Sequence, residues 1–206
     1  MDDLSVHRRL YGSIRRGLPE LGSPALGRIA ALKVADANRV SVTPVREVLF
    51  RLAGERLVDL HPDGGFSLPA LDARALADLD AWNGHHLLAA LHLLPEGVVG
   101  SVMTRAGGHV PVRHIEVVDR IEDLFEELGR ATGNGEFVSQ IDTASARLRA
   151  ARLVEDRLFP DTGRELRSMV RRVVSDAKAN VRRRIHAYHR RRVEHAGQLA
   201  ALLSNG

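Results

Sequence analysis

Three polar side chains lie close together in the segment SVTPVREVLFRL, residues 41–52. Ser41 and Thr43 carry hydroxyl groups, and Arg46 carries a guanidinium group. A hydroxyl at the beginning of a helix can accept a hydrogen bond from a free backbone N–H group, and helix N-termini also attract anions. Small hydroxyls and an arginine at such a position therefore have the chemistry to contact phosphate groups and the edges of bases.

Basic side chains are most concentrated near the other end of the chain. Residues 181–192, VRRRIHAYHRRR, contain six arginines, whereas residues 115–127 contain six acidic side chains and one arginine. On a helix, one face of the basic stretch is half apolar and should pack inside the protein; this face is formed by Val181, Ile185, Tyr188, His189, Arg192 and Ala196. We expect the arginines to pair with the acidic stretch, in the same subunit or across a dimer. Two other roles remain open, a charged ligand pocket and nonspecific phosphate contacts.

Histidines form a second group of chemically capable side chains. His85 and His92 are seven residues apart, which places them on one face of a helix, and His189 lies in the basic stretch. Our candidates for a pocket that binds a small anionic metabolite are His85, His189 and Arg192. The alternatives are that these histidines have no ligand role, or that they serve a small metalloenzyme, for which the sequence has no HExxH motif.

Turn residues and apolar spacing predict the elements that position these side chains. HPDGGF, residues 61–66, predicts a hairpin with Gly64 and Gly65 at its tip, and the pattern before it is helical. RRGLPELGSPALG, residues 15–27, predicts a loop between short helices. After residue 70 we expect helices at Asp72 to about Leu94, 112–132 and 136–159, a weakly structured stretch at 98–110, and residues 164–196 as one long helix or as two that break near Ser175–Asp176.

Composition favours a mostly α-helical protein in two parts. The 206 residues are 44% hydrophobic but only 4% aromatic, so aliphatic side chains must build the core. We predict a small α+β domain at residues 1–70 and an all-helical domain at residues 71–206. The absence of cysteine excludes disulfides and thiolate metal sites. Because no apolar segment has the character of a signal peptide or a membrane span, we expect a cytoplasmic protein with no membrane partner.

Three helices and a glycine-tipped hairpin in about 70 residues are the plan of a winged helix-turn-helix. The segment at 40–68, VSVTPVREVLFRLAGERLVDLHPDGGFSL, closely resembles the DNA-binding domain of the GntR family of bacterial transcription regulators. That family reads V-S-R-T-P-V-R-E-A-L, then L-x-x-E-G-L-V and a glycine-tipped wing. YGSIRRGLPELG, residues 11–22, resembles the family's first helix and turn. The resemblance implies contacts to double-stranded DNA from Arg39, Ser41, Val42, Thr43, Pro44, Arg46, Gly64 and Gly65.

Local chemistry refines this expectation and also marks three departures. We expect Ser41 or Thr43 to cap the recognition helix and Pro44 to be its first residue. Val42 stands where the family usually has an arginine that contacts DNA, so one phosphate or base contact is lost. Arg39 and Arg56 stand where the family usually has glycine. Arg39 is placed to replace the lost contact, and the operator preference of a typical member is not expected.

The helical part resembles the GntR branch whose effector domain is all-helical, the FCD type. That resemblance implies a pocket for a small carboxylate and, in many members, a divalent metal held by an acidic residue and three histidines. DLFEELGRATGN (123–134) and RELRSMVRRVV (164–174) resemble two of its motifs, but Phe125 and Leu166 stand at the histidine positions. The last histidine corresponds to His189 or His186. Because Phe and Leu cannot ligate a metal, we predict that the site is lost and that no cofactor is bound.

Together these features predict a homodimeric, ligand-responsive transcription regulator with a shortened FCD-like domain. We expect a repressor that binds a near-palindromic operator, and not an enzyme. The dimer follows from the resemblance and from the symmetry that is general among oligomers. The main alternative is a DNA-binding dimer that has no small-molecule effector.

Overall fold

The computed structural model describes residues 3–21, 28–107, 113–171 and 176–204. The chain divides into two compact units, here called the N-terminal unit (residues 1–70 with 202–206) and the C-terminal unit (residues 71–201). The fold is mostly α-helical with one small sheet, as the sequence predicts. None of the described helices is long and apolar enough to cross a membrane.

In its described residues, the N-terminal unit contains three complete helices and a three-stranded antiparallel sheet of order β1-β3-β2. Strand β3 pairs with both neighbours, and Phe66 lies opposite Ile29 on one side and Leu60 on the other. The hairpin between β2 and β3 is confirmed, whereas β1 was not predicted. The elements are α1 (Asp3–Leu21), β1 (Arg28–Ile29), α2 (Ala31–Asn38), α3 (Val42–Gly54), β2 (Asp59–Leu60) and β3 (Phe66–Ser67).

The prediction of a loop at residues 15–27 is wrong for its first part. Helix α1 continues to Leu21 through Pro19. Ile14 and Leu18 are buried on one face of α1, one helical turn apart, so packing of that face outweighs the glycine and proline signals. Residues 22–27, the rest of the predicted loop, lie outside the described residues.

The C-terminal unit is built from helices, with a 3₁₀ turn at Glu155–Arg157. Its core is aliphatic and includes Leu128, Val181 and Ile185, together with Phe125 and Tyr188. Asp72 caps the first helix as predicted, because its Oδ1 accepts a hydrogen bond from the Ala75 N–H at 2.7 Å. The helices are α4 (Ala73–Leu93), α5 (Glu96–Ala106), α6 (His114–Ala131), α7 (Gly135–Val154), α8 (Thr162–Met169), α9 (Ala177–Glu194) and α10 (Ala196–Ser204).

One helix prediction in this unit is wrong, and the structure decides another that had left two possibilities open. The stretch at 98–110 was expected to be weakly structured, but α5 covers most of its described part. Val99, Val102 and Met103 are fully buried at helical spacing, so tertiary burial stabilises this helix. The segment 164–196 is not one helix, because α8 ends at Met169 and Asp176 has a left-handed backbone, with φ 51°, just before α9.

Candidate nucleic-acid interface and buried polar cluster

The N-terminus of α3 presents the polar residues that the sequence singles out. Ser41 is the N-cap residue with an extended backbone, and its side chain makes no capping hydrogen bond. Ser41, Thr43 and Arg46 are exposed, whereas Val45 is fully buried. Their hydroxyls and guanidinium group, with the free N–H groups of the first helical turn, form a surface that can contact an anion.

The prediction that Pro44 is the first residue of the recognition helix is wrong. The helix begins at Val42, and Pro44 is its third residue. The first four N–H groups of a helix have no partner inside it, so a proline is tolerated there without loss of a hydrogen bond. Val42 is half-buried at the start of the helix, where the resemblance implies an arginine.

Arg46 contacts both the recognition helix and the wing. Its Cζ lies 6.0 Å from the centroid of the Phe50 ring and 5.9 Å from that of Phe66 in β3. The two rings pack edge to face, with centroids 5.0 Å apart. These contacts restrict the guanidinium group while the side chain stays exposed, which favours a directed contact with an outside anion.

Two arginines adopt the left-handed backbone where the GntR pattern usually has glycine. Arg39 ends α2 with φ 54°, and Arg56 follows α3 with φ 59°. Both side chains are exposed. A left-handed backbone costs a residue with a Cβ atom about 1–2 kcal/mol. The turn conformation is therefore kept without its glycine, and it holds the Arg39 side chain on the surface just before α3.

The wing tip is formed as predicted by two glycines with positive φ, Gly64 at 85° and Gly65 at 100°. The Gly64 N–H donates to the His61 carbonyl at 2.9 Å, which closes the turn. Arg28 of β1 lies beside Gly65 and pairs with Asp63, and its hydrogen bond lowers the pKa of that carboxyl group. Sequence reasoning missed Arg28, because only the pairing of β1 with β3 brings it to the wing.

In the C-terminal unit, Arg192 is buried within an ion-pair network. Its guanidinium group donates to Glu155 at 2.6 and 2.9 Å and to Glu165 at 2.9 Å. Its Cζ lies 3.3 Å from the centroid of the Tyr188 ring. Burial raises the pKa of Glu155, and the charge of Arg192 opposes that shift. The predicted effector residue Arg192 thus already binds carboxylates of the protein itself.

His189 lies in the same core and contacts helix α4. Its Nδ1 lies 3.3 Å from Oδ1 of Asp80, and both side chains are buried. Burial lowers the pKa of His189, with Asp80 acting in the opposite direction. A Cβ atom added to Gly84 would lie 3.1 Å from the His189 ring, so glycine permits this close approach. The third predicted effector residue, His85, is exposed on α4.

The sequence predicts that the basic stretch of α9 pairs with the acidic stretch at residues 115–127, in the same subunit or across a dimer. Among the described residues of one subunit, the two stretches do not pair. Among the described residues, Arg191 pairs with Asp161 at 2.6 Å, and Arg190 lies 3.6 Å from Glu194. The acidic helix α6 pairs with α7 instead, where Arg149 donates to Asp119 and Glu122. The ion pairs given by the described residues of the two charged stretches are therefore formed with other segments, and not between the stretches.

Four buried side chains have polar atoms with no hydrogen-bond partner among the described residues. They are Nδ2 and Oδ1 of Asn83, Oγ of Ser145, Nε and Nη2 of Arg152, and Nε2 of His189. These side chains are at most 6% exposed. Buried polar groups are normally paired with protein or water, so each of these atoms has hydrogen-bonding capacity that a water molecule or a ligand can use.

The side chains of this region do not fit the divalent metal that the FCD resemblance implies. Asp80 and His189 are the only pair of the expected type in contact there among the described residues. Phe125 lies against His189, with ring centroids 5.5 Å apart, and Leu166 is fully buried. No group of three or more acidic or histidine side chains in the described part of the chain could hold a metal ion. Loss of the metal remains a prediction that metal analysis must test.

The N-terminal unit has the elements of a winged helix-turn-helix, and an all-helical unit follows it, so we compared this arrangement with solved structures. The chain resembles E. coli McbR/YncC at 12% identity with a TM-score of 0.66, over 94% of this chain and 97% of that one. It resembles Lar, which controls the expression of the Listeria monocytogenes agr system, at 14% identity with a TM-score of 0.55, over 93% and 96%.

A GntR family member from Pseudomonas syringae is also similar, at 14% identity with a TM-score of 0.48, over 96% of this chain and 87% of that one. No protein-family model and no curated protein sequence matches the chain. McbR/YncC and Lar are GntR-family transcriptional regulators. The chain therefore has the fold of GntR-family regulators over most of its length, as the sequence resemblance predicts.

Proposed function

We propose that this chain is a GntR-family transcription regulator that binds double-stranded DNA through its N-terminal unit. One observation carries the proposal: Ser41, Thr43 and Arg46 are exposed together at the N-terminus of α3, beside a glycine-tipped wing. An α-helix fits the major groove, where an arginine can bind guanine and small hydroxyls can reach phosphates or base edges. Arg39, exposed just before α3, adds positive charge beside these elements.

The direct experiment is binding of the full chain to DNA fragments from just upstream of its own gene, at two salt concentrations. Arg46→Ala is the test variant, and Arg51→Ala, an exposed arginine farther along α3, is the matched control. Loss of one specific arginine contact costs about 1–3 kcal/mol. We therefore expect Arg46→Ala to weaken selective binding by about fivefold to more than a hundredfold, and Arg51→Ala to leave it nearly unchanged.

The same experiment can reject the proposal. Binding that is equally strong to unrelated DNA, collapses at the higher salt concentration and survives Arg46→Ala would be purely electrostatic. The N-terminal unit would then not read an operator, and the basic side chains of α9 would become the better candidates for the contact.

We propose further that the protein acts as a homodimer on a near-palindromic operator. Each recognition helix would occupy one half-site, and the symmetry of the dimer would match that of the DNA. Trp82, the single tryptophan, is 53% exposed on α4, and Leu93 at the end of that helix is 58% exposed. Sedimentation at several concentrations gives the mass directly. Tryptophan emission that shifts to the blue as the dimer forms would place Trp82 in the interface.

A small anionic effector is the third part of the proposal, and repression is the expected mode of action. A ligand that binds the C-terminal unit can change DNA affinity only if it prefers one of two arrangements of the dimer. The unpartnered polar atoms in that unit support a ligand site. The competing proposal is a DNA-binding dimer without an effector, which predicts that no small anion raises the melting temperature.

A further inference from the structure

A small groove lies between α8 and α9 in the C-terminal unit. Its volume is about 230 Å³, below the roughly 300–1,000 Å³ that is typical of sites for drug-sized ligands, so it fits only a small ligand. Its polar lining residues are Glu165, Ser168, Asn180, Arg183, Arg184 and Tyr188. None of the four side chains with unpartnered buried atoms lines it, so it is a second place in this unit where a ligand can be held.

The arginines of α9 differ in whether they have an acidic partner. Arg190, Arg191 and Arg192, in the second half of the helix, each pair with a carboxylate. Arg183 and Arg184, which line the groove, make no ion pair in the part of the chain that the structure describes. Arg184 is also half-buried, and a charge that is partly removed from water without a counter-charge is unfavourable. An anion from outside the protein can supply that counter-charge.

The walls of the groove restrain both guanidinium groups. The Nη2 atom of Arg183 donates to Oδ1 of Asn180 at 2.6 Å. The Nη1 atom of Arg184 donates to the carbonyl groups of Met169 at 3.2 Å and Arg171 at 2.7 Å. The Nε and the second Nη of each arginine make no hydrogen bond to any described residue. Because each group is already held from one side, these remaining N–H groups can bind a ligand with little further loss of entropy.

The electrostatic potential of the groove is positive. Burial lowers the pKa of Arg184, and the positive charges of Arg171 and Arg183 lower it further. Both lining arginines nevertheless stay protonated at any physiological pH. The acidic lining residue, Glu165, does not cancel their charge, because its Oε2 lies 2.9 Å from Nη2 of Arg192 and is neutralised there. Groups of one sign that line a concave surface raise the local concentration of ions of the other sign.

We propose that this groove binds the phosphate group of a small phosphorylated molecule through Arg183 and Arg184, with the hydroxyl of Ser168 as a further donor. A phosphate ester carries a charge of about −1.5 to −2 at pH 7 and offers three strong acceptor oxygens. Two arginine forks match that charge and that number of oxygens, whereas a single carboxylate would satisfy one arginine. The inference goes beyond the proposed function, which requires neither a phosphate nor this groove.

Arg184 also has a structural role, which the test must separate from binding. Its bonds to the Met169 and Arg171 carbonyls hold the chain where α8 ends, and a cation is favourable at the end of a helix. That role does not involve Arg183, which is exposed and bonds to Asn180 of its own helix. Arg183 is therefore the residue to change, because its loss leaves the end of α8 intact.

The test is titration calorimetry of the full chain with glycerol 3-phosphate, and with glycerol and acetate as comparison probes. We expect glycerol 3-phosphate to bind the wild-type protein saturably at one site per subunit, acetate to bind more weakly, and glycerol not to bind. Arg183→Gln is the test variant. Arg182→Gln is the matched control, because Arg182 is an adjacent exposed arginine that does not line the groove. Arg183→Gln should bind glycerol 3-phosphate about tenfold or more weakly, and Arg182→Gln should bind it as the wild type does.

Two further measurements guard against loss of the fold. Without ligand, the two variants should have the same melting temperature, because both substituted side chains are exposed. The ³¹P resonance of glycerol 3-phosphate should shift or broaden with the wild-type protein and with Arg182→Gln, but not with Arg183→Gln. The inference is wrong if the wild-type protein does not bind glycerol 3-phosphate saturably, if binding persists in Arg183→Gln, or if both variants lose it equally.

Binding to DNA separates the possible sources of the phosphate. If Arg183→Gln binds glycerol 3-phosphate as the wild type does but binds unrelated duplex DNA more weakly than Arg182→Gln, the groove contacts the DNA backbone and the inference is wrong. Failure of the inference and failure of the proposed function are also distinguishable. Selective DNA binding that depends on Arg46 supports the regulator proposal whether or not glycerol 3-phosphate binds. Saturable binding of glycerol 3-phosphate that depends on Arg183 supports the phosphate site even if selective DNA binding is absent.

Discussion

The two units of this protein place their polar side chains in opposite ways. In the N-terminal unit, the candidate functional residues Ser41, Thr43 and Arg46 are exposed, and the described buried side chains are apolar. In the C-terminal unit, Asp80, Arg152, His189, Arg192 and other polar side chains lie in the core. The N-terminal unit thus has its candidate functional side chains at the surface, whereas the C-terminal unit has polar side chains buried in its core.

Substitutions at the exposed candidate residues of the N-terminal unit should change binding and leave stability nearly unchanged. Substitutions of the buried polar residues of the C-terminal unit should change stability as well. Removing an exposed side chain changes little of the packing, so its loss should affect binding alone. Removing one member of a buried charged network leaves its partners unpaired in a medium that solvates them poorly.

Arg192→Met should destabilise the C-terminal unit strongly. It leaves the buried Glu155 carboxylate without its partner, and breaking a buried ion pair from one side costs about 3–5 kcal/mol. Urea unfolding followed by Trp82 fluorescence measures the loss in this unit. Arg190→Met is the control, because its pair with Glu194 is mostly exposed and worth about 0–1 kcal/mol. Equal losses in the two variants would mean that burial does not distinguish the arginines of α9.

Gly84→Ala tests whether the α4–α9 contact is as close as the structure indicates. The new Cβ atom would lie 3.1 Å from the His189 ring, and such overpacking costs about 1–3 kcal/mol. Gly100→Ala is the matched helical control, because a Cβ atom there meets nothing within 4 Å and should stabilise α5 by about 1 kcal/mol. In thermal unfolding we expect Gly84→Ala to lower the melting temperature and Gly100→Ala to raise it. A higher melting temperature in both variants would contradict the tight contact.

Arg56→Gly should stabilise the N-terminal unit by about 0.5–1 kcal/mol. Glycine removes the cost of a left-handed backbone at φ 59°, although it adds entropy to the unfolded chain. Arg9→Gly, in the exposed face of α1, is the control and should cost about 1 kcal/mol. Chemical denaturation measures both variants. A loss of stability in Arg56→Gly would show that its side chain makes a contact that outweighs the strain.

Asp161→Asn should have the smallest effect, and that effect should depend on pH. The hydrogen bond from Arg191 lowers the pKa of Asp161 below its usual range, so its contribution exists above pH 4 and disappears as pH falls through the folded-state pKa. The side chain is 40% exposed, so we expect about 0.2–1 kcal/mol at pH 7. As pH falls from 7 to 3, the free energy of unfolding of Asp161→Asn should converge with that of the wild type. The control, Asp78→Asn, should have the same free energy of unfolding as the wild type at every pH.

Much of the N-terminal unit could be predicted from the sequence. The position of Ser41 at the start of α3, the glycine tip of the wing and the buried face with Val45 and Val48 all follow from local spacing and turn chemistry, whereas the predicted capping hydrogen bond of Ser41 is not formed. The errors there concern boundaries: Pro44 is the third residue of α3, not the first, and α1 extends to Leu21. Arg28 was missed because strand pairing, not proximity in sequence, brings it beside Gly65.

The polar cluster of the C-terminal unit could be predicted only in fragments. His189 and Arg192 were identified as inward-facing from helical periodicity, and both are buried. The contact of His189 with Asp80 and the burial of Arg152 could not be predicted from the sequence. Arg147, Arg149 and Arg152 follow one another closely near the end of α7, and the sequence does not tell which of them is buried, because only the packing of α7 against α4 and α6 removes Arg152 from water.

The exposed positions of Ser41, Thr43 and Arg46 at the start of α3 could be predicted from the sequence, because turns and apolar spacing act within a few residues. The partners of the buried charges could not, because they depend on how distant segments pack. Asp80 and His189 are 109 residues apart in sequence, and Arg191 and Arg192 of α9 pair with acids between α7 and α8 and not with those of the acidic helix α6. A buried charge needs a partner of opposite charge. The packing of the apolar core decides which distant side chain is close enough to be that partner.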